Sequence, residues 1–331
     1  MAYSIELLSE DTADQWEEFN NQSGGGTPFH SLRWKQVLED IFHSNLRYYL
    51  ILNEQEVVGI SPWAERSALN FLGLVSIPHS EMNGIVLDDT FNADHFNEIL
   101  SLFAKKYSFL HFNTCNPALL DGIRFTHVSG EDTGHMMTDL RSSPPDAIWA
   151  GLSKRTKQAL RTFENDGFEV SEINHPDELD DFYRYYSGNM THINGKILPL
   201  AFFEKLLEQF PDEIRVTALT RNDLFAGGSL ALLDPARKIY YGNYLAINRD
   251  LPNRYTPSYH IMWESINWAW KNGYEKLSSG RQKLEPGNPR FRYKAKFGAE
   301  HLPIHSNLVL LSKPMLVSYK IREMLLTNRG A

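Results

Sequence analysis

A constant offset of 168 residues relates two stretches of this chain, and it restricts the possible folds more than any local motif. Carried forward by that offset, a helix-like run with Trp34, Leu38 and Phe42 falls on Phe202, Leu206 and Phe210. Arg47 falls on Arg215, Gly59 on Gly227 and Ser61 on Ser229, and the polar turn Asn53 to Glu56 lands on Arg221 to Leu224. One offset that holds through a helix and a hairpin without a gap is the mark of an internal duplication. A chain of 331 residues is long enough for two cores. The expectation is two similar α/β domains, 1–143 and 144–331, parted near Arg141-Ser142-Ser143-Pro144-Pro145, a break rich in Ser and Pro.

Within the first copy the apolar spacing predicts a strand over 4–8, helices over 12–20 and 30–42, a hairpin over 48–62, an extended segment over 69–77, a helix over 92–107 and a strand over 109–113. Gly24-Gly25-Gly26 lacks the Lys-Ser/Thr of a phosphate-cradling loop and reads as a plain loop. In the second copy, Ile239 to Ala246 reads as a buried strand and Tyr259 to Trp270 as a helix capped by Ser258. That helix carries Ile261, Met262, Ser265, Ile266, Ala269 and Trp270 on one stripe. A strand over 274–279 follows, then Gly280-Arg281, a Gly/Pro turn and a basic aromatic hook from Arg290 to Gly298.

The net charge of −8 argues against a protein that coats nucleic acid through its overall field, but leaves room for a local basic patch. One such patch is Lys154, Arg155, Lys157 and Arg161, concentrated at the start of a helix that Ser153 caps and Gly167 ends. Exposed donors at a helix N-terminus favour a phosphate or pyrophosphate; a solvated helix face with Arg161 paired to a nearby acid is the alternative. No window reaches the length of a membrane span, and Met1 to Glu10 shows no leader, so a cytoplasmic location is expected. The single Cys115 excludes an internal disulfide and a thiolate metal cluster, and no metal is expected; Cys115 reads as a buried small hydrophobe, with a nucleophile as the alternative.

Taken together, Trp34 after Phe29-His30-Ser31, the basic run ending in Glu164-Asn165-Asp166-Gly167-Phe168, Leu198-Pro199-Leu200-Ala201-Phe202-Phe203, Tyr240-Tyr241-Gly242, Met262-Trp263-Glu264-Ser265-Ile266, Gly280-Arg281 and Lys294-Ala295-Lys296-Phe297-Gly298 resemble the FemAB-like proteins. Those are tandem domains of the GNAT acyltransferase fold, whose type members are peptidoglycan bridge-forming aminoacyltransferases of cell-wall synthesis. The resemblance implies an α/β (α+β) fold of two tandem GNAT-like domains, each a mixed, mostly antiparallel sheet flanked by helices. It implies an N-acyltransferase with its site in a cleft beside the central strands of the second domain. An amine of a small molecule, glycan or peptide, including a cell-envelope precursor, would attack a thioester or an aminoacyl ester. No covalently bound cofactor is implied; the donor is either acyl-CoA or aminoacyl-tRNA.

Such chemistry needs a proton acceptor, an oxyanion donor and a clamp for the donor's anionic handle. Lys296 is the candidate oxyanion-stabilising cation, and Tyr241 or Tyr244 a candidate proton relay. Arg281, Arg290 and Lys294 are candidate anion contacts, together with the basic helix. His260 and Glu264, one turn apart, are either an acid/base pair or a surface hydrogen bond. The chain departs from the family in three places. The loop Asn248 to Pro257 has no glycine where the pyrophosphate loop belongs, which hinders backbone approach to a pyrophosphate. Leu38 stands where bridge-forming members carry a Lys, and Ser278-Ser279-Gly280-Arg281 replaces Asp-Phe-Gly-Arg. A reading from another class is a catalytically silent module holding a glycan or peptide through its tyrosines. Oligomeric state stays open.

Overall fold

The computed structural model describes residues 3–89, 91–130 and 133–327. Met1 and Ala2, where the N-terminal stretch read above begins, and residues 328–331, which close the expected second domain, lie outside them. In chain order the first elements are β1 (Tyr3–Leu7), α1 (Ala13–Gln22), α2 (Leu32–Phe42), β2 (Leu46–Asn53), β3 (Glu56–Ala68), β4 (Phe71–Ser76), β5 (Val86–Leu87), α3 (Ala93–Phe103), β6 (Phe109–Thr114) and β7 (Thr126–Ser129). Then come β8 (Thr133–Asp139), α4 (Pro145–Gly151), α5 (Lys154–Asn165), β9 (Glu169–Ile173), α6 (Asp180–His192), α7 (Leu200–Gln209), β10 (Ile214–Arg221), β11 (Leu224–Asp234), β12 (Ile239–Ile247), α8 (Pro257–Lys271), β13 (Lys276–Lys283) and α9 (Pro289–Lys296). The last are β14 (Glu300–Leu310) and α10 (Lys313–Thr327).

Two compact units result, Met1–Thr133 with Pro303–Ala331, and Gly134–Leu302. This division differs from a single cut between residues 143 and 144. The reason is pairing: His305 to Leu310 of β14 add to β6 of the first unit, so the chain's end returns to the domain in which it began. In the first unit the strand order is β1-β2-β3-β4-β6-β14, with β5 on β3 and β7 on β14. In the second it is β8-β13-β12-β11-β10-β9. The pairs β4 with β6 and β12 with β13 are parallel, because a helix, α3 or α8, makes each crossover.

The duplication is visible residue by residue. Ile51 pairs with Gly59 and Leu52 with Val57 across a bulge; 168 residues on, Leu219 pairs with Gly227 and Thr220 with Phe225 across the same bulge. Both glycines are needed for close approach. A Cβ on Gly59 would lie 3.0 Å from the Val86 carbonyl, and one on Gly227 would lie 3.0 Å from the Ala246 carbonyl. Trp34, Leu38, Phe202, Leu206 and Phe210 are all buried, so the repeated helix presents the same face to each core.

Four local expectations need correction. Helix α8 starts at Pro257 with Thr256 as N-cap residue and no side-chain cap, so Ser258 is inside it. Trp270 is 44% exposed and lies off the buried stripe. Cys115 is exposed, because β6 ends at Thr114. The hook is a helix, α9, whose Arg290 amide donates to the side chain of Asn288 at its N-cap and whose end is turned by Gly298 at φ +82°, a conformation glycine adopts without a Cβ penalty. Among the described residues no helix is long and apolar enough to cross a membrane, and no cluster of His, Cys, Asp and Glu is built to hold a metal ion.

Candidate active site

The two units treat their parallel strand pairs differently, and that marks out a candidate site. In the second unit β12 pairs with β13 only through Ile239, Tyr240 and Tyr241, opposite Lys276, Leu277 and Ser278. Beyond that point β12 continues to Ile247 on β11 while β13 runs on to Lys283, so the two strands part and leave a wedge between them. In the first unit the corresponding strand is broken into β4 and β5, and the intervening chain is pinned in place. Trp34 Nε1 donates to Ser80 Oγ at 2.7 Å, Asn83 Nδ2 donates to the Ile77 carbonyl at 2.8 Å, and the His30 ring bonds to the Gly84 carbonyl at 2.9 Å. That ordered segment gives the first unit a different local structure at this position.

The edge of β12 that faces the wedge is built from polar groups. Leu230 pairs with Tyr244 and Ala231 with Gly242, so Asn243 is the extra residue of a bulge. Its side-chain Oδ1 is buried without a hydrogen-bond partner among the described residues. A buried, unmet acceptor costs on the order of 1–3 kcal/mol, so this oxygen calls for a donor, which a water or a ligand can supply. Two residues further, Asn189 of α6 donates through Nδ2 to the Leu245 carbonyl at 3.1 Å, which closes the far part of the edge.

Helices α8 and α9 frame the wedge from its two arms. Pro257 and Ile261 of α8 approach Gly227, which lies opposite Ile247 of β12. Lys294 of α9 donates through Nζ to the carbonyls of Gly280 and Arg281 on β13, at 3.2 and 3.3 Å. The helices then meet: Lys296 Nζ donates to Tyr259 Oη at 2.6 Å, Tyr259 stacks on Tyr293 with centroids 5.8 Å apart, and Tyr293 donates to the Ser258 carbonyl at 2.7 Å. Burial pushes the Tyr293 phenol above its ordinary range, so it serves as a neutral donor. Phe297 is fully buried against both tyrosines and anchors the end of α9.

The other expected residues are distributed over separate environments. Tyr241 is fully buried. Tyr244 is half-buried and packs among Tyr186, Phe202 and Phe203 with centroids 5.3 to 6.2 Å away. Both Glu264 oxygens accept from Arg215, at 3.0 and 2.7 Å, and Arg215 also donates to Glu172 at 2.8 Å. Burial pulls the guanidinium down, but these carboxylates more than reverse it. Glu264 is therefore held in an ion pair, and neither the acid/base pair nor the surface bond with His260 describes it. His260 is buried beside Phe163, 5.2 Å between ring centroids; its Nδ1 has no partner among the described residues, and burial lowers its pKa.

On α5, Ser153 caps as expected, accepting from the Thr156 amide at 3.2 Å. Lys157 and Arg161 lie over Trp149 at 5.8 and 5.7 Å, so Arg161 is not paired to an acid, and Lys154 and Arg155 are exposed. None of the four has a carboxylate partner among the described residues. Arg281 is exposed at the end of β13, and Arg290 donates through Nη2 to the Ile193 carbonyl at 3.4 Å. The glycine-free loop is fixed to the body of the unit. Asn248 donates to the Phe225 carbonyl at 2.8 Å, Arg254 pairs with Asp166 at 2.9 Å, and Tyr255 bonds to the same carboxylate. Sequence reasoning passed over Asn243 because a bulge leaves no signature in a run of aromatic residues.

Residues 151–295 match the family model described as an acetyltransferase (GNAT) domain. No curated protein matches the chain. Among solved structures, FemX is similar over 92% of this chain and 96% of its own, with a TM-score of 0.67 at 10% identity. A tandem GNAT protein from the clavulanic acid biosynthesis pathway aligns over 94% and 99%, with a TM-score of 0.57 at 10% identity. L-PGS from Bacillus licheniformis aligns over 88% and 96%, with a TM-score of 0.54 at 11% identity. The resemblance to FemAB-like proteins and the fold of two tandem GNAT-like domains stand on these similarities.

Proposed function

We propose that this chain, with its tandem GNAT fold and GNAT-type second half, is an N-acyltransferase that works in the wedge between β12 and β13. The observation that carries the reading is Asn243: a buried amide oxygen with no hydrogen-bond partner among the described residues, on a bulged strand, just past the point where that strand loses its neighbour. In the proposed reaction the amine nitrogen attacks the carbonyl carbon of an activated acyl group, and the carbonyl pair moves to oxygen. Asn243 Oδ1 accepts an N–H of the incoming amine and aims its lone pair. The oxyanion is met by N–H groups along the free edge of β12 and by the charge of Lys296, which the Tyr259 hydroxyl holds at the wedge mouth. Collapse expels the thiolate or alkoxide, which takes up the proton lost by the amine nitrogen and leaves as thiol or alcohol, and the amide remains.

For the donor, an aminoacyl ester on tRNA is favoured over acyl-CoA. The loop before α8 is pinned by Asn248, Arg254 and Tyr255 and places Pro257, which has no N–H, at the first helical position. That is a poor pyrophosphate cradle. Four cations of α5 without carboxylate partners, two of them over Trp149, suit a phosphodiester chain with an unstacked base. The acceptor is an amine of a small molecule or of a cell-envelope precursor.

A thermal-shift series tests this. A ligand at a hundred times its dissociation constant adds about 2.7 kcal/mol of stability. Charged tRNA is expected to stabilise the protein, with a steep salt dependence that Lys157→Gln and Arg161→Gln reduce. Stabilisation by acetyl-CoA alone, unchanged in those variants, would reverse the choice of donor.

A further inference from the structure

At the far end of β12 two arginines grip the same turn of one helix. Arg249, just past the strand, donates through Nη2 to Asn189 Oδ1 at 2.7 Å, and Arg290, at the start of α9, donates through Nη2 to the Ile193 carbonyl at 3.4 Å. Asn189 is only 8% exposed and is itself fixed by its bond to the Leu245 carbonyl. One guanidinium is thus aligned by a relay of backbone carbonyl and buried amide.

The Asn189 side-chain oxygen takes one donor of Arg249, and the Ile193 carbonyl at the negative end of α6 takes one donor of Arg290. Among the described residues the remaining N–H groups of both forks have no protein acceptor, and neither arginine has a carboxylate partner. Both side chains are exposed; partial burial, and then the positive charge of Arg290, lower the Arg249 pKa, as expected of two cations held at one end of the same helix. Two exposed guanidinium forks held by one helix end can both reach a single anion, whose charge would relieve their mutual repulsion.

We propose that Arg249 and Arg290 form a clamp for an oxyanion, the phosphate or carboxylate of a molecule that enters the wedge. The clamp lies on the α6 side of β12, beyond the Leu245 carbonyl that Asn189 occupies, and is separate from the α5 cations. It extends the acyltransferase reading by requiring a ligand whose anionic group lies past Asn243, yet the clamp is measurable without turnover. Two sources share this chemistry, a phosphate ester and an amino-acid or peptide carboxylate.

Binding of inorganic pyrophosphate and of succinate to the full chain, at constant ionic strength by calorimetry, separates them. The clamp predicts saturable binding of at least one, weakened tenfold or more by Arg249→Gln and by Arg290→Gln and unchanged by Arg254→Gln, whose guanidinium is paired with Asp166. Preference for pyrophosphate assigns a phosphate source, and preference for succinate a carboxylate source. No saturable binding of either anion, or binding equal in wild type and both clamp variants, overturns the proposal. Because the probes carry no acyl group, such a failure would not touch the acyltransferase reading.

Discussion

Tyr241 and Ser278 are the last residues through which β12 and β13 pair, and the bulge at Asn243 follows two residues later. Pairing stops where the polar edge begins, which is the geometry a ligand needs in order to be read by backbone and side chain together. Replacing Asn243 by Leu removes an acceptor that has no protein donor, so stability should hold within about 0.5 kcal/mol or rise. Transfer should fall about a hundredfold. Denaturant melts beside steady-state rates check both halves.

Glu264 and Arg215 make the opposite prediction. The pair is largely buried, so Glu264→Gln leaves a charge poorly compensated and should cost about 3 kcal/mol in urea denaturation. The folded fraction should retain its turnover. Loss of turnover in a fully stable variant would instead return Glu264 to a catalytic role.

His260 gives a pH signature. Burial depresses its folded pKa below the ordinary 6.5, so the unfolded chain binds its proton first. The stability gained by keeping it neutral is present above 6.5 and is lost as pH falls through that value toward the depressed one. The slope from this one group is at most about 1.4 kcal/mol per pH unit. In His260→Gln that component of the acid-side slope should vanish from stability curves taken between about pH 7 and pH 5.

The matched glycines test the duplication as physics. Gly59→Ala and Gly227→Ala each place a methyl 3.0 Å from a neighbouring strand carbonyl, so each should cost about 1–3 kcal/mol. Gly151→Ala, where a Cβ meets nothing within 4 Å, should cost less than about 0.5 kcal/mol.

The repeat made much of the fold legible before any coordinates, because Gly59 with Gly227 and Arg47 with Arg215 fix ladder registers as well as identities. What it could not carry was long-range return. Strand β14 pairs with β6 across nearly two hundred residues, and nothing local in Glu300–Leu310 announces its partner. The site was legible in part. Lys296 and Arg290 stand out as cations in an aromatic context, and the structure gives each a defined partner. Glu264 was misread because its spacing to His260 is visible in sequence while Arg215 is not. Asn243, Asn189 and Arg249 were missed because their importance lies in which carbonyl or amide each faces, a property of the folded strand edge.

The central claim is that an amide is made in the wedge of the second unit. Its most direct test is mass-spectrometric detection of acylated product when the wild-type chain, Asn243→Leu and Lys296→Ala are each given charged tRNA or acetyl-CoA together with a panel of amines and cell-envelope precursors. The account predicts a product with the wild type, reduced about a hundredfold in both folded variants. Absence of product from either donor across the panel, in wild-type protein that binds its ligands, would contradict it and leave a binding module on an acyltransferase fold.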